Sequence, residues 1–385
     1  MTIRPFSLGD LFLLQSLSRY ATLLHIEQTL LQPQSPLWTA LRASMPGMSS
    51  RISTHVLRQE ENGLARAGFV QIETRPNRPE ADIRLLTPAL DAPQGHPAIW
   101  QKLLSQASQQ LVERNVTRLY CDLPNQPLPV STLKQVGFHH YTSETVWRLR
   151  APQFNWRLPG QESVREATDE DRWSLIRLYE KVTPAGVQHA EGWPSLDREV
   201  TGGVNEPIIL AQRPDHLATR LFVYEEQGRL RAALQFVWGQ RGVWLRLWAN
   251  TNNPDNSPLH QLLRHALSIG EEMGISPIYI GVRNHQRGVA PLLSSYGFAP
   301  FTDRARMVRS IWQRIRQPEP VRAIGIKEMA EALPGSILIP GVGMPAGIPA
   351  EPNAPPRAWS RPAHRTGQWN PANCEETFPI RTCEG

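Results

Sequence analysis

In the stretch VTPAGVQHAEGW, residues 182–193, a histidine and a carboxylate stand two positions apart. His189 and Glu191 are side chains that take and return protons near neutral pH, so they are candidates for general acid–base work. The same spacing suits a plain surface contact on a loop, and the residues alone leave both readings open. A second polar stretch, TNNPDNSP at 251–258, precedes an amphipathic run. Asn252, Asn253 and Ser257 there either hold a ligand or cap the helix that follows. The three cysteines, Cys121, Cys374 and Cys383, have no metal-ligand spacing. No metal site is expected, and an odd, sparse set of cysteines points to a reducing, cytoplasmic setting.

These groups need a scaffold. The chain has 385 residues, a formal charge of +6 and a pI near 9.5. That length implies two domains. A basic surface suits a phosphate-rich ligand, either nucleic acid or a nucleotide-like cofactor. No run of Lys and Arg is dense enough to favour nucleic acid. No membrane segment is expected: Asp10 interrupts the apolar start, and proline and glycine break PGSILIPGVGMPAGIPA.

The scaffold is legible as a repeat. IRPFSLGDLFLL lies over VREATDEDRWSL, so that Arg4 meets Arg165, Ser7 meets Thr168 and Asp10 meets Asp171. Each copy reads as a strand, a Ser/Thr cap with Asp three residues on, then a helix. Two strand-turn-strand units follow, turning at Asn62-Gly63 and Gln227-Gly228. Next come a strand, an amphipathic helix and a buried strand ending at Asn125 or Asn284, and finally the endings LKQVGF and LLSSYGF. The offsets are 161, 165, 159 and 160, drifting only where loop lengths change. Matches in one order at near-constant offset indicate a duplicated domain, residues 1–150 and 163–315. Residues 151–162 read as a linker. The Pro/Gly-rich segment 316–385 reads as a largely disordered tail able to dock a protein partner.

The openings IRPFSLGD and VREATDED, the strand-end asparagines and the Gly-Phe endings resemble the GNAT superfamily of N-acyltransferases over roughly 1–150 and 162–315. The resemblance implies an α/β (α+β) fold: two tandem GNAT-like domains, each a mixed, mostly antiparallel splayed sheet flanked by helices. It also implies acetyl-CoA as co-substrate, lying between two splayed strands with its pyrophosphate at the next helix start. The acceptor would be a small-molecule or peptide amine. On this basis Asn252, Asn253, Ser257 and Asn284 are expected to bind the cofactor, and His189 and Glu191 to serve as the base. The first copy is expected to be degenerate and the second the better candidate.

The chain departs from the family pattern. The small residues of the pyrophosphate loop are replaced: Trp100 and Leu259 are bulky, and Pro97 and Pro258 remove amide donors. The tyrosine that protonates the leaving thiolate is Leu133 in one copy and Leu293 in the other, leaving Tyr296 as a substitute acid. The alternative is therefore a tandem GNAT-fold binding or scaffold protein without catalysis.

Overall fold

The computed structural model describes residues 2–45, 51–61, 64–150, 163–193, 207–210, 217–251 and 256–311, the side chains at 2, 59–61 and 64–66 excepted. The proposed linker and tail, the Asn62-Gly63 turn, Asn252 and Asn253 lie outside the described residues.

The strands are β1 (Thr2–Pro5), β2 (Thr22–Leu23), β3 (Ile52–Glu61), β4 (Leu64–Thr74), β5 (Glu80–Thr87), β6 (Arg118–Pro124), β7 (His139–Leu149), β8 (Val164–Glu166), β9 (Ala218–Glu226), β10 (Arg229–Gly239), β11 (Gly242–Ala249), β12 (Ile278–Arg283) and β13 (Ala299–Ser310). The helices are α1 (Leu11–Ser18), α2 (Ile26–Leu31), α3 (Pro36–Ala43), α4 (Pro97–Glu113), α5 (Pro127–Gln135), α6 (Arg172–Val182), α7 (Ala185–Ala190), α8 (Ser257–Glu272) and α9 (Ala290–Ser295). No helix among the described residues is long and apolar enough to cross a membrane.

Both helix starts carry the mechanism read in the sequence. Asp10 accepts from the Ser7 amide at 3.0 Å, and Asp171 from the Thr168 amide at 2.8 Å. The repeated arginines close the motif: Arg4 pairs with Asp10 at 2.8 Å and Arg165 with Asp171 at 2.6 Å. Hydrogen bonding from Arg165 chiefly holds the Asp171 carboxyl down at about 2. Gln227 and Gly228 take φ of 51° and 70°, the left-handed pair that a tight hairpin requires.

Each half is a mixed, mostly antiparallel splayed sheet with helices on both faces. The halves join into one sheet in the order β1-β3-β4-β5-β6-β13-β7-β12-β11-β10-β9-β8, with β2 paired to β5 off this path. The last strands are exchanged. β13, from the second repeat, pairs with β6 of the first, while β7, from the first, pairs with β12 of the second. β7 and β13 also pair with each other. A single long strand closes each repeat. The junction is apolar on one side, where Trp244 packs with Leu31, Val146 and Tyr279. Gly239 lets β10 approach the Leu31 carbonyl, which a Cβ would meet at 2.6 Å.

Candidate active site

In each half one parallel strand pair starts together and then separates. β5 and β6 are in register from Glu80/Arg118 to Asp82/Tyr120 only. β11 and β12 are in register from Val243/Ile278 to Leu245/Ile280 only. A helix follows the first strand of each pair: α4 after β5, α8 after β11. Strand, helix, three antiparallel strands, helix and a diverging parallel partner, twice over, is the arrangement the motifs implied. The fold is a duplicated GNAT fold.

Solved structures align with the chain at low identity. A tandem GNAT protein from the clavulanic acid biosynthesis pathway, solved without AcCoA, aligns with a TM-score of 0.45 and 12% identity, over 81% of this chain and 99% of its own. A GCN5-related N-acetyltransferase from Sphaerobacter thermophilus gives 0.48 and 11%, over 81% and 96%. A putative acetyltransferase from Pyrococcus horikoshii gives 0.41 and 13%, over 80% and 89%. No protein-family profile and no curated protein matches the chain.

The V of the first half is filled by the chain itself. Thr22 and Leu23 pair with Leu86 and Leu85 of β5. The Leu24 amide donates to the Arg84 carbonyl at 2.8 Å, and the Asp122 amide of β6 donates to the Leu24 carbonyl at 3.0 Å. Residues 22–24 thus bond to both separated strands, taking the groups an extended ligand would use. Arg304 of β13 locks them, donating to the Leu23 carbonyl at 2.8 Å and to the Asp122 carboxylate at 2.7 Å. Burial opposes the charge on Asp122, but Arg304 and then Arg306 outweigh it and hold the carboxyl below the usual range. At the start of α4 the His96 ring accepts from the Ala98 amide at 3.1 Å.

The V of the second half is bridged by a side chain. Gln286 donates to the Leu247 carbonyl at 2.7 Å and accepts from the Arg283 amide at 3.2 Å. A slot of about 20 Å³ remains, lined by Leu247, Trp248, Gly281, Arg283, Arg246 and Arg306 among others. Trp100 and Leu259 both turn into the core. Trp100 is fully buried and donates its indole N–H to the Pro88 carbonyl at 2.8 Å, and Leu259 belongs to the core under α8. Pro97 and Pro258 occupy the first two positions of α4 and α8, where amides have no intrahelical partner in any case. Trp244 and Trp248 are likewise core.

The proposed catalytic residues are not brought together. His189 is exposed on α7. Glu191, 2% exposed, turns inward, accepting from Arg283 at 2.5 Å and from the Tyr179 hydroxyl at 2.8 Å. Burial disfavours its charge, yet Arg283 holds its pKa below the usual carboxylate range, so it is an ionised structural partner. Tyr296 packs on α8, with its hydroxyl 3.0 Å from both Arg264 Nε and His260 Nδ1. Burial raises its pKa, partly offset by Arg264. Ser257 is exposed at the start of α8. Asn284 is exposed just past β12, accepting from Arg287 at 3.0 Å.

What the sequence did not reveal is a cavity of about 70 Å³ at the junction. Leu24, His25 and Glu27 of the first repeat and Glu191, Arg246 and Arg306 of the second line it, together with Tyr120 and Tyr141. Buried pairs ring it: Arg246 with Glu27, Arg306 with Glu144, and Arg75 with Asp82 at 2.6 Å. Arg246 and Arg306 also line the slot in the second V, so the two spaces adjoin. Tyr141 is the extra residue of a β-bulge, since Thr142 pairs with Arg306 and His140 with Met307. Bulges re-aim side chains in this way. Burial, with Glu191 next, pushes the Tyr141 phenol up to about 12, so it remains a hydrogen-bond donor.

Proposed function

We propose that the chain transfers an acetyl group from acetyl-CoA to an amine held in the junction cavity, working through its second half alone. The observation carrying this reading is an asymmetry. The first V is filled by main chain bonded to both strands, whereas the second is bridged by one glutamine side chain and adjoins the polar cavity. A side chain swings aside for a ligand; a paired strand does not. Bound acetyl-CoA would supply an activated acyl group. The Leu247 carbonyl, once released by Gln286, would accept from its amide, and Ser257 would lie at its phosphate end, with Asn252, Asn253 and Asn284 further candidates. Tyr141 is better placed than Tyr296 to give a proton at the cavity, because it lines that space.

Calorimetry with acetyl-CoA on the full chain tests this. Saturable binding is expected, lost in Ser257→Trp. It tightens by about fivefold in Gln286→Ala, because a hydrogen-bond competitor worth about 1 kcal/mol is gone. No binding up to millimolar concentration by wild type and Gln286→Ala overturns the proposal. It would favour the second reading, a duplicated GNAT fold that binds without acyl transfer, which the bridged slot and Leu293 support.

A further inference from the structure

The junction cavity contains an imbalance of partners. Arg246 donates through Nη2 to Glu27, but its Nη1 is buried and has no hydrogen-bond partner. The guanidinium is 11% exposed. A buried charged donor left unmade costs more than a neutral one. The Tyr141 hydroxyl makes no hydrogen bond to another described residue, and its raised pKa keeps it a donor. Across the same cavity Glu73 is the least satisfied carboxylate. Among the described residues its ion-pair partner is Arg84 at 3.8 Å, and Arg84 spends a hydrogen bond on Gln34 at 3.1 Å. The other acids lining the space are more tightly held: Glu27 by Arg246, Asp122 by Arg304 at 2.7 Å, Asp82 by Arg75 at 2.6 Å, Glu191 by Arg283 at 2.5 Å.

The wall therefore offers two hydrogen-bond donors, one of them cationic, and one loosely paired anion. We infer that the junction cavity binds a compact zwitterion of the amino-acid type. Its carboxylate would meet Arg246 Nη1 and Tyr141, and its ammonium would meet Glu73. The volume of about 70 Å³ limits the ligand to a small molecule. Arg246 comes from β11 and Glu73 and Tyr141 from the first repeat, so the site exists only with both repeats present. The inference deepens the acyltransferase reading by naming the class of the acceptor, and binding is independent of it.

The test is calorimetry on the full chain without acetyl-CoA, using the twenty common amino acids, ethylamine and propionate as probes. At least one small amino acid is expected to bind saturably, tenfold or more tighter than ethylamine or propionate, which each carry one of its charges. Glu73→Gln and Tyr141→Phe are each expected to weaken it fivefold or more. Arg246→Gln orphans Glu27 and risks the fold, so circular dichroism of each variant accompanies the titrations. If no amino acid outbinds the one-charge probes, or if folded Glu73→Gln and Tyr141→Phe both bind like wild type, the inference fails. Amino-acid binding without acetyl-CoA binding would keep the inference and sink the acetyltransferase reading. The reverse result would do the opposite.

Discussion

Removing Arg304 tests whether the first V is locked by charge. Its guanidinium donates to the Asp122 carboxylate at 2.7 and 3.1 Å, to the Asp122 carbonyl at 2.6 Å and to the Leu23 carbonyl at 2.8 Å. Both partners are nearly buried, at 6% and 7% side-chain exposure. Arg304→Met keeps the stem and leaves Asp122 without its main partner, a change that costs about 3–5 kcal/mol. For a unit of this size about 2 °C follows each kcal/mol, so Tm should fall by roughly 6–10 °C. The sign with pH follows from the lowered pKa of Asp122. Its ion pair stabilises the fold above the unfolded value of 3.8, and that stability is lost as pH falls through the folded value. In the variant, burial without Arg304 raises the same pKa, so Asp122 protonates earlier and the deficit is largest at pH 7 and shrinks toward pH 4. Urea melts of both proteins at pH 7 and 4.5 measure it, and Asp122→Asn added to Arg304→Met should recover about 1 kcal/mol or more. Hydrogen exchange at Leu24 and Asp122 should quicken, since those amides hold the plug. A deficit below 1 kcal/mol at pH 7, unchanged by pH, refutes the argument.

Two further outcomes follow from the same structure. Burial, with Arg114 for His55 and Arg283 for His285, holds both histidines near 4. Both are neutral when folded and protonate when unfolded, so stability should decline as pH drops from about 6.5 to about 4, and His55→Gln should flatten that slope in urea melts. Residues 1–150 and 163–385, expressed separately, should each fail to give a stable fold and should recover cooperative unfolding when mixed; a stable monomeric 1–150 fragment would contradict the strand exchange.

The repeat was legible because its signals are local. Ser7 with Asp10 and Thr168 with Asp171 sit three residues apart, and the glycine turns and Gly-Phe endings are equally short-range. The site was not, because its pairs are distant. Arg304 meets Asp122 across 182 residues, Arg246 meets Glu27 across 219 and Arg306 meets Glu144 across 162. His189 and Glu191 looked like a pair because they are neighbours in sequence. A helix end separates them, sending one to solvent and the other to Arg283. Trp100 and Leu259 looked like obstructions, but the helix phase turned both into the core. A hint of the exchange was present: at an offset of 160, Glu144 falls over Arg304, opposite charges at equivalent positions of two otherwise similar strands.

That difference explains why the last strands cross over within one chain. β7 and β13 pair antiparallel with Glu144 directly opposite Arg304, so the point of near-symmetry joins a carboxylate to a guanidinium. Two copies of β7 in the same register would set Glu144 against Glu144 at the centre of a sheet, and two copies of β13 would set Arg304 against Arg304. Like charges opposite one another destabilise a strand pair, and burial enlarges the penalty. Arg304 and Arg306 lie two residues apart and so share a face, meeting Asp122 and Glu144 there. A slip of one residue would turn both guanidiniums away from those carboxylates. The buried pairs therefore choose the partner strand and fix its register, whatever their net contribution to stability. In doing so they set Arg246 of one repeat against Glu27 of the other and enclose the cavity on which the functional proposals rest.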